Sequence, residues 1–222
     1  MEPMMVQKTS GIYQLTQIPA IYAAFQRMLG GERARQELVA THIRPAPGAR
    51  VLDFGCGSGA ILPYLGPVEY VGIDLNADHI AQAKAVFGDR GTFYAGDFGS
   101  LPVEQHGTFD LVVCLGVLHH LDDARVRELV MMARRYLAAD GRFVAVDPVF
   151  EPGQAFVARW LAKLDSGKCV RTAPQYAGLV KGGFGNSTTT VRHDLLSLPY
   201  SHCITSANAT TGGPRRPNVL DS

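Results

Sequence analysis

The sequence has no long apolar run. The longest, Leu111 to Leu118, is far short of the ~20 residues a membrane-crossing helix needs. Met1 to Ser10 carries no apolar stretch after its lysine, so no secretory signal is expected. Dense Lys/Arg runs are also missing. Arg134-Arg135 and Arg215-Arg216 are the nearest to basic clusters, and both read as solvated surface. With 21 basic against 20 acidic residues, the net charge is +1, which argues against a nucleic-acid partner. The four cysteines, Cys56, Cys114, Cys169 and Cys203, form no CxxC pair. A zinc site or a disulfide framework is therefore not expected, and reduced thiols suit a soluble, cytoplasmic protein. No internal repeat is visible.

What is present is an ordinary globular composition. Of 222 residues, 46% are hydrophobic and 18% charged, enough for one domain with a buried core. From residue 11 to 43, apolar residues recur at spacings of three and four (Ile12, Leu15, Ile18, Ile21, Phe25), interrupted at Gly30-Gly31. Residues 1–48 therefore read as a helical N-terminal cap, ended by Pro45-Ala46-Pro47-Gly48. From Arg50 the rhythm alternates. Strands are expected at 50–54, 70–74, 92–95, 109–115 and 141–146, with helices at 58–65, 78–87 and 122–137 between them. Such alternation calls for a parallel sheet covered on both faces, with ligands at the strand C-termini where the winding reverses. Further on, 154–164 and 175–180 read as helices. Thr188 to Leu195 and Tyr200 to Thr205 read as an antiparallel hairpin that closes a domain over 49–206. Residues 207–222, rich in Gly, Pro, Thr and Asn, read as a disordered tail. The expected fold is a three-layer α/β sandwich on a mainly parallel seven-stranded sheet with an antiparallel last strand.

The central motif is Val51-Leu-Asp-Phe-Gly-Cys-Gly-Ser-Gly59. Three alternate glycines after an apolar strand let a ligand press against bare backbone, and amides at the start of a following helix would point into the same space. Gly55-x-Gly57-x-x-Ala60 also satisfies the dinucleotide fingerprint, and Asp74 could hold ribose hydroxyls in either case. Asp53, at the mouth of the loop, would repel a pyrophosphate and complements a ligand bearing an ammonium and a sulfonium. In Ala95-Gly-Asp-Phe98, Asp97 can accept from an adenine amino group while Phe98 packs on the ring; the alternative for Asp97 is a turn cap.

The run from Val51 to Asp147 resembles the class I methyltransferase family. Val51 to Gly59 looks like its first motif, Gly72-Ile-Asp-Leu75 like its ribose-binding motif, and Gly96-Asp-Phe98 like its adenine-contacting motif. Phe109 to Leu121 is similar to its fourth strand and following loop, Ala139 to Ala145 to its fifth-strand region, and the closing hairpin to its final antiparallel pair. The resemblance implies S-adenosylmethionine as cofactor. Asp53, Gly55 and Gly57 would border its methionine part, with Gly59 completing the loop. Asp74 and Leu75 would contact ribose and adenine, Asp97 and Phe98 the adenine, and Leu115 the cofactor from below. The Asn/Asp-Pro-Pro-Tyr motif of amino-group methylases is missing. Asp147 alone makes no metal site, so no metal is expected.

Methyl transfer from a sulfonium requires alignment, and a base only when the acceptor must lose a proton. His119 and His120 follow the fourth strand, and one of them, His119 first, is the candidate for that base; packing under the cofactor is the alternative. Asp194, Tyr200 and His202 of the hairpin could border the acceptor, and Lys168 and Arg171 either meet an anionic acceptor or lie in solvent. The expected activity is methylation of a small-molecule acceptor, at a hydroxyl. A nicotinamide-dependent oxidoreductase and a non-catalytic binding protein of the same fold are the rival readings.

Overall fold

The computed structural model describes residues 31–102, 106–154, 159, 169–196 and 200–209. Helix α1, Gly31–Leu38, widens into a π-helical turn, Val39–Ile43, that stops at Arg44 in the left-handed region (φ 41°). Arg142 holds this end in place by donating to the carbonyls of His42, at 2.6 Å, and of Ile43. Residues 11–30 of the expected cap, most of the helix expected at 154–164, Lys168 and the tail from 210 lie outside the described residues.

Seven strands follow: β1 Arg50–Phe54, β2 Glu69–Asp74, β3 Gly91–Ala95, β4 Phe109–Leu115, β5 Leu137–Pro148, β6 Thr188–Arg192 and β7 His202–Asn208. Their order in the single sheet is β3-β2-β1-β4-β5-β7-β6. All pairings from β3 to β5 are parallel, and β7 runs antiparallel to both neighbours. This is the expected α/β architecture with an antiparallel last strand. The fifth strand is longer than the sequence suggests, because a register shift between Phe109 and Leu111 lets Leu137 pair ahead of Arg142. β7 also runs on to Asn208, paired with Arg142, beyond the stretch at 200–205 read from sequence.

Alternation along the strands divides the core in two. Leu52, Phe54, Val112, Cys114 and Phe143 face helices α3, Asp123–Tyr136, and α4, Ala173–Phe184. Val51, Tyr70, Val113 and Val144 face α1 and helix α2, Ala77–Phe87. α3 starts where the Asp122 side chain accepts from the amide of Arg125 at 2.9 Å, and it buries Val126, Leu129, Val130 and Ala133 as one stripe. α4 is twice the length expected, despite Gly178, Gly182 and Gly183. Each glycine costs a helix about 1 kcal/mol. Burial of Tyr176, Leu179, Val180 and Phe184 returns ~1.5–3 kcal/mol per side chain, and a Thr172–Gln175 capping box fixes the start. Gly183 is also where α4 meets α3: a Cβ there would lie 2.6 Å from Val130 Cγ1.

Candidate active site

The winding reverses between β1 and β4, and the glycine loop leaves the C-terminal end of β1 at that point. Gly55, Gly57 and Gly59 all have positive φ (71°, 53° and 75°). At Gly55 a Cβ would also strike Val117 Cγ2 at 2.5 Å, so both conformation and space demand glycine. The helix expected at 58–65 does not form. Alternating left-handed residues cannot continue a right-handed helix, and the segment folds as turns with one 3-10 turn, Leu62–Tyr64. The loop is tied instead to β2. Gly55 and Cys56 amides share the Ile73 carbonyl (2.7 and 3.1 Å), and the Gly57 amide donates to Asp74 Oδ2 at 2.8 Å.

Asp53 is only 2% exposed. Tyr70 donates its hydroxyl to Oδ2 at 2.6 Å, while Oδ1 has no hydrogen-bond partner among the described residues. Burial pushes its pKa up to about 7; the Tyr70 hydrogen bond opposes this and the nearby Asp74 charge adds to it. A buried acceptor oxygen left unmade is costly, and it fits a ligand that brings a donor. Bare backbone beside it, with open space at the Gly57 Cβ position, fits close approach of that ligand.

Asp74, at the end of β2, also accepts from the Asn76 amide at 2.8 Å, and Leu75 beside it is 45% exposed, an apolar side chain available to a flat ring. Asp97 is placed as a turn cap: Oδ1 accepts from the Gly99 amide at 3.0 Å, and Oδ2 pairs with Arg125. Phe98 points into the core, 6.1 Å from the Phe54 ring centroid, with the Arg125 guanidinium 4.3 Å over its other face. It is therefore a supporting residue at this position, not an open stacking platform. Leu115 ends β4 half-buried, and Gly116 turns the chain with φ 74°.

His119 and His120 lie in the 3-10 turn after β4, their ring centroids 4.1 Å apart. His119 is buried. Its backbone amide and ring Nδ1 both meet Asp147 Oδ1, at 3.1 and 2.8 Å. A carboxylate there fixes the ring proton on Nδ1 and leaves Nε2 as the basic nitrogen. Asp147 is 2% exposed and stands one residue before the end of the fifth strand. Sequence reasoning weighed it only as a metal ligand. An acid closing an apolar strand, as at Asp53 and Asp74, was the available signal. By alternation Asp53 lies on the α1–α2 face of the sheet and Asp147 on the α3–α4 face.

Arg171 overturns both of its sequence readings. It is buried, and its guanidinium donates to Asp123 Oδ1 (2.9 and 2.7 Å) and to the carbonyls of Leu118, Cys169 and Leu121 (2.9, 3.0 and 2.8 Å). It clamps the histidine turn to the start of α3. At the hairpin, β6 is parallel to β5, so its turn falls at the ligand edge. Asp194 there pairs with Arg192, and the Tyr200 and His202 rings lie together, 5.0 Å apart. A cavity of about 360 Å³, lined by Arg50, Tyr70, Arg90 and His106, opens at the opposite edge of the sheet, away from these groups.

The strand order, the antiparallel closing strand and the glycine loop at the switch point define a Rossmann-like domain for a nucleoside-bearing cofactor. Residues 51–141 match the methyltransferase domain family. An uncharacterised methyltransferase of Synechocystis sp. is 31% identical over 137 residues, covering 59% of this chain and 64% of that protein. The ubiquinone biosynthesis O-methyltransferase of Xanthomonas axonopodis pv. citri is 29% identical over 140 residues, 58% of each chain. The chain thus spans about three fifths of the length of these relatives. Magnesium protoporphyrin IX methyltransferase from Synechocystis, solved with bound S-adenosylmethionine, superposes with a TM-score of 0.56 at 20% identity, covering 82% of this chain and 80% of that one. These matches place a methyltransferase domain at residues 51–141 and support S-adenosylmethionine as its cofactor. The nicotinamide reading finds no support in these comparisons.

Proposed function

We propose that the protein methylates a hydroxyl of a small-molecule acceptor, with His119 as the general base and Asp147 as the residue that orients it. The buried His119–Asp147 pair at the C-terminal ends of β4 and β5 carries this reading. S-adenosylmethionine, when bound, supplies an already activated methyl group. The protein's part is to hold the acceptor in line, exclude water and take the hydroxyl proton on Nε2 of His119. His120, its ring tilted 38° against that of His119, is the second candidate to touch the acceptor.

Asp53, Gly55 and Gly57 would hold the methionine part, with Gly59 closing the loop. Asp53 Oδ1, lacking a partner, would accept from the ammonium, because a sulfonium has no proton to donate. Asp74 and Leu75 would meet ribose and adenine, and Leu115 would lie under the cofactor. Asp97 keeps acceptor capacity beside its bond to Arg125, and Phe98 backs that wall. Arg192 pairs with Glu37 of α1 as well as with Asp194, which supports residues 1–48 as a cap leaning on the domain of 49–206. The near-zero net charge, and a relative named for O-methylation in ubiquinone biosynthesis, favour a small hydroxylated acceptor over a nucleic acid.

The test is transfer of labelled methyl to a panel of phenols and catechols. With an acceptor found, His119→Ala is expected to lower kcat by at least about 100-fold. Asp147→Asn is expected to lower it about 10-fold to 100-fold, by releasing the Nδ1 proton and the ring orientation. Unchanged kcat in His119→Ala would remove the base, and transfer confined to amines or carbons would remove the hydroxyl.

A further inference from the structure

Tyr70 has no role in the proposed transfer, yet among the described residues its hydroxyl is the side-chain partner of the acid at the mouth of the glycine loop. In the parallel register Asp53 stands opposite Gly72, and Tyr70 lies two residues earlier on the same face of β2. The missing side chain at Gly72 is what lets the two meet. A Cβ there would lie 3.0 Å from Tyr70 Cε1 and 2.7 Å from Cys56 Sγ. The Tyr70 ring therefore passes over the Gly72 backbone to reach Asp53. Its other edge is fixed by Phe93, 5.6 Å away centroid to centroid. The whole arrangement is buried, with Tyr70 3% exposed.

We propose that Tyr70 is a positioning residue for cofactor capture: its hydroxyl ties down Oδ2 of Asp53, so that Oδ1 alone is offered to the ammonium of the incoming cofactor. This rests on the assignment of Asp53 to the methionine end. A carboxylate with two free oxygens could rotate, and one without a donor would be expensive to ionise in this surrounding. The titratable groups that couple to Asp53 are Tyr70 and Asp74 on β2, Cys56 in the loop and, from the other face of the sheet, Cys114 on β4. Burial pushes both thiols up, so neither brings a charge; Asp74 brings a like charge and Tyr70 the single opposing hydrogen bond. Asp53 is thus half protonated near neutral pH without ligand. Binding of an ammonium completes its ionisation: the carboxyl O–H breaks, the proton goes to buffer, and the carboxylate accepts from the ammonium N–H. Capture is therefore coupled to proton release.

Titration calorimetry in two buffers of different ionisation enthalpy counts those protons. The ligands are S-adenosylmethionine and S-adenosylhomocysteine, which share the ammonium; only the first carries a sulfonium. Wild type is expected to release about half a proton per ligand at pH 7, equally for both. Asp53→Asn should release none. In Tyr70→Phe the release midpoint should move up by about one pH unit, with roughly fivefold weaker binding at pH 7 that recovers by about pH 9. Carbon-13 NMR of the Asp53 carboxyl in the ligand-free proteins reads the same midpoint without any ligand, and thermal melts confirm that the variant is folded.

A Tyr70→Phe protein with wild-type affinity and an unmoved carboxyl midpoint overturns the role of Tyr70 while leaving Asp53 in place. Undiminished binding by Asp53→Asn overturns the assignment of Asp53 itself. Proton release seen only with S-adenosylmethionine overturns the ammonium as its partner. If Tyr70→Phe does not fold, the wild-type NMR midpoint decides: a value near 4, as for a solvated aspartate, removes the coupling.

Discussion

At the scale of single residues, the role proposed for Asp53 is set against stability. The folded protein holds the Asp53 proton more tightly than the unfolded chain, where the carboxyl has its ordinary value of 3.8. The stability this lends is complete below about pH 4 and is lost as the pH rises through about 7. Asp53→Asn keeps the shape without the ionisation. The variant is expected to gain on wild type as the pH rises from 4 to 8, on the order of 3 kcal/mol, while losing cofactor. Urea unfolding across that range checks it; parallel profiles would show that Asp53 ionises in the fold as easily as in water. His119 presents the opposite arrangement. Its acid partner donates nothing and accepts twice from one residue, so the histidine turn is ordered by the group that also sets its tautomer.

At the scale of elements, the link that matters is Arg171. It precedes α4, pairs with Asp123 at the start of α3, and satisfies the Leu118 and Leu121 carbonyls on either side of the two histidines. Arg171→Met keeps most of the volume and removes every donor. Stability to urea is expected to fall by about 3 kcal/mol, because buried carbonyls lose their partners. Methyl transfer should fall with it, since the same turn carries His119. A loss under about 1 kcal/mol would show that water replaces the guanidinium freely. Lysine is not an adequate substitute, having no planar fork to reach four acceptors at once. The glycine loop works on the same scale: tied to β2 through Ile73 and Asp74, it binds the first two strands into one platform.

At the scale of the whole molecule, the sheet order brings these platforms together. β1 and β4 are neighbours although 54 residues separate Phe109 from Phe54 in number only through β2, β3 and their helices. Binding at that junction should stabilise the fold as a unit. S-adenosylmethionine at about 100 times its Kd is expected to add about 2.7 kcal/mol and to raise Tm by several degrees. In Asp74→Ala the rise at the same concentration should largely vanish; an equal rise would place the ligand away from the end of β2. No helix among the described residues is long and apolar enough to cross a membrane.

Much of this was written along the chain. The glycines at 55, 57 and 59, the acids at 53 and 74 and the alternation of strands with helices are local properties, set by backbone freedom and by which residues avoid water. They were enough to place the sheet and its closing antiparallel strand, and to point to the edge proposed for the cofactor. Partnership was decided by tertiary structure alone. Tyr70 meets Asp53 only through the β1–β2 register, His119 meets Asp147 only because β4 and β5 pair, and Arg171 reaches back some fifty residues to a turn no linear pattern joins to it. Phe98, an aromatic in a cofactor motif by sequence, was turned inward by the packing of Phe54. The chain fixes what each side chain can do, and the fold chooses its neighbour, because hydrogen bonds and charges act over a few ångströms in space whatever their separation in sequence.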